Sequence, residues 1–355
     1  MSPHDSPRGL SFAIGAYLIW GLMPLYLYTL RDVPAGEVVA HRVLWSLPIA
    51  LIVLRQNGQL GTVAATLRRP RLVAMAGLTA TLITVNWLTY VWAVTHGQTV
   101  EAALGYYINP LFSIFLGWAL LGERLSRPQL AAISLAVLAV VLLTTAAGGL
   151  PVVALTLTVT WGVYAYCKRR LPLPPNEGFT VEVLLLFLPA AGYLLWLEWT
   201  GAAHFGRDVG ESLLLVGTGV ITAVPLMLYA NGAKLLRLST IAVLQYLAPT
   251  MVFLIAVVIF HEPFAGVRLI AFPLIWAALV LYTATLIRRP ARVGCRGGGT
   301  GALPRAAAAA FLAENGPLDR FPGARKPRDI FMMKKPLAPQ AGPARGGRWA
   351  AAIPP

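Results

Sequence analysis

Three side chains that can carry charge stand close together near the start of an apolar stretch: Glu37, His41 and Arg42. Glu37 and His41 are four residues apart, a spacing that puts both on one face of a helix. Arg42 lies about 7–8 Å deeper along such a helix than Glu37. We expect Arg42 to face a cavity and to pair with a carboxylate, either Glu37 or Glu101. The alternative is that Arg42 links two helices structurally.

Four further carboxylates lie within or next to apolar stretches: Glu101, Glu123, Glu182 and Glu262. Glu101 is expected either to titrate with the movement of a solute or proton, or to act as an acid at a helix N-terminus. Glu182 is expected to carry protons if it faces a cavity, or to be a hydrated carboxylate near a surface. We expect Glu123 and Glu262 at helix ends in water, as gate or structural contacts.

Polar and aromatic side chains also fall within the apolar stretches, where they either hydrogen-bond a ligand or join helices to one another. Trp20, Trp87 and Trp92 either stack on a flat or cationic solute or serve as anchors and packing groups. Pro110 and Pro249 are expected to break their helices, because proline removes a backbone hydrogen bond. The remaining candidates for ligand binding or coupling are Asn86, Tyr90, Tyr106, Asn109, Tyr229, Gln245 and Tyr246.

Several other kinds of chemistry lack their residues in this sequence. It contains neither a GxxxxGK[ST] phosphate loop nor a GxSxG nucleophile motif, and no His and Cys cluster has metal-ligand spacing. We therefore expect no enzyme activity, no cofactor and no metal. The net charge of +15 is concentrated after residue 286, where 13 Arg and Lys outnumber three acidic residues. That segment has few aromatic residues to stack on bases, so we expect no nucleic-acid partner.

The composition indicates the elements that must position these residues. Hydrophobic residues make up 57% of the chain and charged residues 12%, whereas soluble proteins are about one quarter charged. We infer an all-α integral membrane protein embedded in a lipid bilayer. The apolar runs predict ten membrane-spanning helices, near residues 10–30, 35–54, 72–95, 98–121, 128–147, 149–167, 179–198, 212–233, 239–260 and 264–287.

The predicted helices form two copies of one unit. Tyr107 and Pro110 recur 139 residues later as Tyr246 and Pro249, and Glu123 recurs as Glu262 at the same offset. The two units are residues 10–147 and 149–287. Each contains five predicted helices, an odd number, so the second must cross the membrane in the opposite sense to the first.

Basic residues predict the orientation of the chain in the membrane. They fall mainly in the connections on one side, together with the N-terminus at 1–9 and the segment 288–355. By the positive-inside rule, both termini are cytoplasmic and the protein is a multi-pass protein of the inner (plasma) membrane. The segment 288–355 is rich in Gly, Pro, Ala and Arg and is expected to be a disordered, basic, low-complexity tail.

Six blocks of sequence resemble RarD-type permeases of the EamA family, in the drug/metabolite transporter superfamily. They are YLIWGLMPLYLY from Tyr17, PAGEVVAHRVLWS from Pro34, NWLTYVWAV from Asn86, EAALGYYINPL from Glu101, LGER from Leu121 and LRLSTIAVLQYLAPTMVFLIAV from Leu236.

The resemblance implies two inverted EamA-like repeats of five helices. It also implies secondary active transport of a small metabolite or drug, with a link to chloramphenicol resistance or sensitivity. We expect an exporter that works by alternating access, with the proton gradient as the hypothesised energy source. The alternatives are an integral-membrane enzyme acting on lipid-linked substrates and a passive channel. Monomer and homodimer both stay open.

Overall fold

A computed structural model describes residues 6–122, 124–147, 149–233, 235–236 and 238–287. Within these ranges the chain is helical and contains no strand. Glu123 and the predicted tail at 288–355 lie outside the described residues. The helices are α1 (Pro7–Tyr28), α2 (Ala35–Gln56), α3 (Leu60–Leu67), α4 (Pro70–Thr95), α5 (Thr99–Leu121), α6 (Arg127–Ala147), α7 (Val152–Arg170), α8 (Pro175–Trp199), α9 (Val209–Ala233), α10 (Leu238–Leu244), α11 (Leu247–Leu254) with a π-helical continuation (Ile255–Ile259), and α12 (Arg268–Ile287).

Seven helices of the described residues are long and apolar enough to cross a membrane: α1, α2, α4, α5, α6, α8 and α9. Two shorter apolar helical stretches are Leu247–Ile259 and Arg268–Ala284. Helices suit this environment because a lipid core offers no water to satisfy free backbone groups. Each predicted span coincides with helix, although the ninth is divided between α10, α11 and the π-helical segment.

Helix ends coincide with residues that favour them. Ser6 caps α1, because its hydroxyl accepts a hydrogen bond from the Gly9 amide, and Pro7 follows in the first turn. Gly122 ends α5 in the left-handed conformation, with φ +66°. The sequence reasoning missed α3, a short helix whose buried side chains Val63 and Thr66 lie in the connection between α2 and α4.

The two prolines that were predicted to break their helices differ, and the predicted break at Pro110 is wrong. Helix α5 runs without interruption from Thr99 to Leu121 through Pro110. In the second unit a turn at Gln245 and Tyr246 interrupts the helix, shortly before Pro249. A proline removes one backbone hydrogen bond, but packing on both sides can hold the helix together. Helix α5 is packed in this way, between α7 and α11.

The helices pack mainly in pairs that join distant parts of the chain. Helix α1 packs on α9 and α11, α2 on α8 and α9, α4 on α7 and α8, α5 on α7 and α11, and α6 on α12.

Small residues allow the closest approaches between helix backbones. A Cβ added at Gly105 would lie 2.7 Å from the Ala154 carbonyl oxygen, and one at Gly219 would collide with the Trp45 backbone. Such contacts bring backbones together without large side chains between them.

Candidate functional site

Arg42 lies buried at the centre of the packed helices. It is 3% exposed, and its Nε donates a hydrogen bond of 3.0 Å to the hydroxyl of Thr222 on α9. The guanidinium group stands over the indole ring of Trp87 on α4, 4.7 Å from the ring centroid. The Nη1 atom has no hydrogen-bond partner in the described part of the chain. Arg42 therefore joins three helices and keeps one buried donor free.

The predicted carboxylate partner of Arg42 is wrong. No ion pair among the described residues includes Arg42. The Glu37 carboxylate, which is fully buried, binds His204 instead, at 2.9 Å from Nδ1 and 2.8 Å from the backbone amide. The Glu101 carboxylate accepts the Val153 amide at 3.0 Å. The amide bound by Glu101 belongs to the first turn of α7, where backbone amides are free. The amide bound by Glu37 lies in the connection between α8 and α9.

Polar groups of α4, α5 and α7 meet beside Arg42. Asn86 donates to the Leu157 carbonyl oxygen at 3.1 Å and to the Thr160 hydroxyl at 2.9 Å. Its Oδ1 accepts a bond of 3.3 Å from the hydroxyl of Tyr106. Asn86 thus joins three helices with its polar atoms satisfied, which fits the structural alternative for this residue.

Aromatic rings complete this region. Tyr90 and Tyr106 meet edge to face with centroids 5.5 Å apart, and both lie near Arg42. We call Arg42, Asn86, Trp87, Tyr90 and Tyr106 the central cluster. A neighbouring group contains Tyr17, Trp20 and Tyr229, whose centroids lie 5.7–6.0 Å apart. Three residues predicted from the sequence therefore lie around Arg42: Asn86, Tyr90 and Tyr106. Trp87 covers one face of the Arg42 guanidinium.

His41 faces a different environment from Arg42. Its Nδ1 accepts a hydrogen bond of 3.1 Å from the indole of Trp45, and its ring stacks on Phe205 at 4.9 Å. Phe205 follows His204, the partner of Glu37. Glu37 and His41 thus lie on one face, as predicted, and that face meets the connection between α8 and α9.

Glu262 is not in water, so that expectation is wrong. It is 8% exposed, and its two carboxylate oxygens accept the backbone amides of Thr99 at 2.7 Å and Val100 at 2.8 Å. These amides belong to the first turn of α5, where a carboxylate also meets the positive end of the helix dipole. His261 precedes it with φ +54°, a left-handed turn that ends the helix and directs Glu262 back toward α5.

Glu37, Glu101 and Glu262 form a common arrangement, which we call the carboxylate clasp. Each accepts backbone amides from a distant segment: Glu37 from His204 and Phe205, Glu101 from Val153 and Ala154, and Glu262 from Thr99 and Val100. The three lie at one end of the body, since the first residues of α2 and α7 line the same surface cleft and α5 begins beside them. Each of these contacts joins segments that are far apart in the sequence.

Glu182 is a buried carboxylate with partners on α7. It is 2% exposed and forms an ion pair of 2.6 Å with Lys168 on α7. The hydroxyl of Tyr164 donates a further bond of 3.3 Å to the second carboxylate oxygen. The expectation of a hydrated surface carboxylate is therefore wrong. Burying a charge is costly unless it is paired and hydrogen-bonded, as it is here.

The remaining candidates lie apart from the central cluster. Asn109 is 7% exposed, and its Oδ1 has no hydrogen-bond partner within the described ranges. Tyr246 lines a cleft of about 630 Å³ between α5, α11 and α12, and Gln245 lies in the adjacent turn. Trp92 is 40% exposed and stacks on His96, so it does not face the central cluster.

The sequence identified candidate site residues better than it identified the residues that bind them. Thr222, His204 and Lys168 each bind a predicted residue, yet none of them stood out. Thr222 is a common residue in an apolar stretch, and His204 lies in a connection. Lys168 belongs to a basic run that indicated orientation alone. Arg42 and Glu182 lie 140 residues apart, close to the repeat offset. Both are charged residues, and both are buried.

The sequence profile of the EamA-like transporter family matches residues 7–145. Protein RarD of Streptomyces exfoliatus is 40% identical over 294 residues, which cover 82% of this chain and 93% of that protein.

The chain belongs to the EamA-like transporter family. A second relative in the RarD group, the chloramphenicol-sensitive protein RarD of Pseudomonas aeruginosa, is 30% identical over 81% of this chain and 99% of that protein. A solved crystal structure has the same fold, with a TM-score of 0.53 at 23% identity over 80% of this chain and 99% of that chain. As an EamA-like, RarD-type permease, the protein is a multi-pass membrane transporter.

Proposed function

We propose that the protein is a secondary active permease that exports a small amphipathic metabolite or drug across the bacterial inner membrane by alternating access. The observation that carries this proposal is the symmetry of the helix contacts. If α1, α2, α4, α5 and α6 correspond to α7, α8, α9, α11 and α12, each of the most extensive contacts between the halves has its counterpart, and the smaller contacts of α5 with α12 and of α3 with α8 do not follow the pattern.

The correspondence is specific. Helix α5 packs on α7, and the matching pair α11 and α1 is also in contact. Helix α4 packs on α7, and its counterpart is the contact of α9 with α1. The contacts of α2 with α8, α5 with α11 and α6 with α12 map onto themselves. This pattern supports two repeats, 10–147 and 149–287, related by a two-fold axis in the membrane plane. Such repeats bind substrate at their interface and expose it to each side in turn.

The central cluster has the position that a substrate site of this kind requires. Arg42, Trp87, Tyr90 and Tyr106 come from the first repeat, and Thr222 comes from the second. Relative movement of the repeats changes the surroundings of the guanidinium. We propose that this cluster, with Asn86 as its structural link and Tyr229 beside it, contacts the substrate.

The carboxylate clasp supplies the gate in this proposal. Every clasp contact joins one repeat to the other, and the positive-inside rule assigns this end of the body to the outside. Opening outward requires the carboxylates to release the amides. Protonation from the outside weakens a carboxylate as an acceptor, so inward proton movement is our hypothesis for how the exchange is driven.

Cysteine labelling tests the inverted repeat. In a chain carrying Cys167→Ser and Cys295→Ser, Arg124→Cys and Pro263→Cys introduce exposed thiols next to Glu123 and Glu262. We expect a membrane-impermeant maleimide to label Pro263→Cys in intact cells and Arg124→Cys only after permeabilisation. Labelling of both from the same side would overturn the inverted arrangement.

Counterflow in proteoliposomes tests the transport activity. Liposomes preloaded with an unlabelled solute are diluted into its radiolabelled form, with chloramphenicol and a panel of small aromatic metabolites as solutes. We expect transient accumulation of label above equilibrium, and stronger accumulation with an imposed pH gradient. Flux that only dissipates a gradient would indicate a channel, and covalent conversion of a solute would indicate an enzyme. Either result would overturn the proposal.

A further inference from the structure

Arg42 presents an unbalanced positive charge in the interior of the body. A guanidinium stays protonated in proteins, and removing it from water costs several kcal/mol unless an opposite charge compensates. Its protein contacts are a hydroxyl and an aromatic ring, at Thr222 and Trp87, and both are uncharged. The ring attracts the cation but supplies only part of what a counter-ion would.

The carboxylates that might have balanced this charge are bound elsewhere. Glu37 pairs with His204, and Glu182 pairs with Lys168. Glu101 and Glu262 accept amides at helix N-termini. Glu177 is also buried, and its Oε2 has no hydrogen-bond partner within the described ranges. No ion pair among the described residues joins Arg42 to any of these five carboxylates.

The free donor of Arg42 lies among flat aromatic surfaces. Nη1 is buried and has no hydrogen-bond partner within the described ranges. Trp87 covers one face of the guanidinium, and Tyr90 and Tyr106 lie near it. Tyr106 also meets Trp161 edge to face at 6.4 Å. A ligand at Nη1 would therefore touch aromatic rings with the rest of its surface.

We propose that Arg42 binds the anionic group of the transported solute, and that this solute is a small organic anion with a carboxylate on a flat, apolar body. The inference rests on the proposed transport function and names its substrate class. An oxyanion accepts the Nη1 donor in a charge-assisted hydrogen bond, and low local dielectric strengthens that bond. The aromatic rings hold the apolar body. A purely structural Arg42 would give no preference for an acid over its neutral amide.

The test compares solutes that differ in charge but little in shape. Phenylacetate and indole-3-acetate are measured against their neutral amides, phenylacetamide and indole-3-acetamide. Binding is followed by the shift in thermal unfolding of the purified full-length protein, and transport by counterflow in proteoliposomes. We expect the wild-type protein to bind the acids at least about ten-fold more tightly than the amides, the effect of one charge-assisted hydrogen bond. This comparison needs no variant.

Variants assign the preference to Arg42. We expect Arg42→Gln to lose the preference for acids over amides, and Arg42→Lys, which keeps the charge, to retain part of it. Thr222→Val removes the hydroxyl that orients the guanidinium and should weaken acid binding while leaving the net charge unchanged.

Arg31→Gln is the matched control, because the Arg31 guanidinium also stands 4.7 Å from an aromatic centroid, that of Tyr28, but its side chain is 50% exposed. It should bind acids as the wild type does.

The outcomes separate the two proposals. Equal binding of acids and amides by the wild type, or an unchanged preference in a folded Arg42→Gln protein, would overturn the assignment of Arg42. Counterflow of chloramphenicol alone, without inhibition by either acid, would also overturn the organic-anion class and leave the transport function standing. Absence of counterflow with every solute would overturn the proposed function and this inference with it.

Discussion

Replacing Glu262 by glutamine keeps the size of the side chain and removes the charge that α5 faces. The Glu262 oxygens accept the amides of Thr99 and Val100 at 2.7 and 2.8 Å. A glutamine has one oxygen acceptor, so its amino group would face the second amide. One buried N–H would lose its partner, and the other would lose a charged acceptor.

The expected cost follows from these two contacts. Leaving a buried N–H without a partner costs about 1–3 kcal/mol, and exchanging a charged acceptor for a neutral one weakens the other bond by about 1 kcal/mol, so together the cost is about 3 kcal/mol. Glu262 is 8% exposed, so solvent screening reduces this figure little. Since each 1.4 kcal/mol is a factor of ten, the population with the clasp open should rise about one hundred-fold.

The population with the clasp open can be followed by labelling a thiol that is buried behind the clasp. Val100 is 1% exposed, and Val100→Cys in the chain with Cys167→Ser and Cys295→Ser places a thiol there with little change in volume. The labelling rate with an impermeant maleimide, measured on intact cells, should rise by up to about one hundred-fold when Glu262→Gln is added, because labelling follows the open population when opening is fast.

Glu198→Gln is the control, because Glu198 is exposed on α8 at the same end of the body. It removes the same charge from a position without clasp contacts, so labelling should stay within about two-fold, as for surface substitutions generally. Equal labelling rates for the Glu262→Gln and Glu198→Gln proteins would refute the clasp as an energetic contact.

Two further substitutions test the packing and the buried ion pair. Gly105→Ala would place a carbon 2.7 Å from the Ala154 carbonyl oxygen, so we expect a loss of about 1–3 kcal/mol in thermal unfolding. Gly77→Ala, with no atom within 4 Å of the added carbon, should be neutral or stabilising, and equal effects at the two sites would contradict the close approach. Lys168→Met leaves the Glu182 carboxylate buried without its cation and should cost about 3 kcal/mol, the lower end of the range for buried pairs, because the Lys168 side chain is 22% exposed. Adding Glu182→Gln should recover most of that loss, and a double variant no more stable than the single one would show that the pair is not its cause.

Much of the fold follows from the sequence because a lipid environment leaves few choices. Long uncharged runs must be helical to satisfy their backbone groups, so each predicted span coincides with helix. Pro110 shows where this reasoning ends. Proline removes a hydrogen bond in any sequence context, yet α5 continues through it because α7 and α11 hold it.

The candidate site was predicted in part, for a similar reason. Charged and polar residues in apolar runs are costly, so Arg42, Glu182 and Asn86 are recognisable in the sequence as residues that must be compensated. What compensates them was not recognisable. Arg42 meets Thr222, 180 positions away, and Glu37 meets His204, 167 positions away.

The sequence by itself determined that this chain forms long apolar helices and that a few buried charges must find partners. The tertiary structure alone decided which partners those are. It placed Glu262 on the first turn of α5 and left Arg42 among aromatic rings. The physical reason is range: helix formation depends on residues within a few positions of one another, whereas a side chain's partner depends on how whole helices rotate and pack.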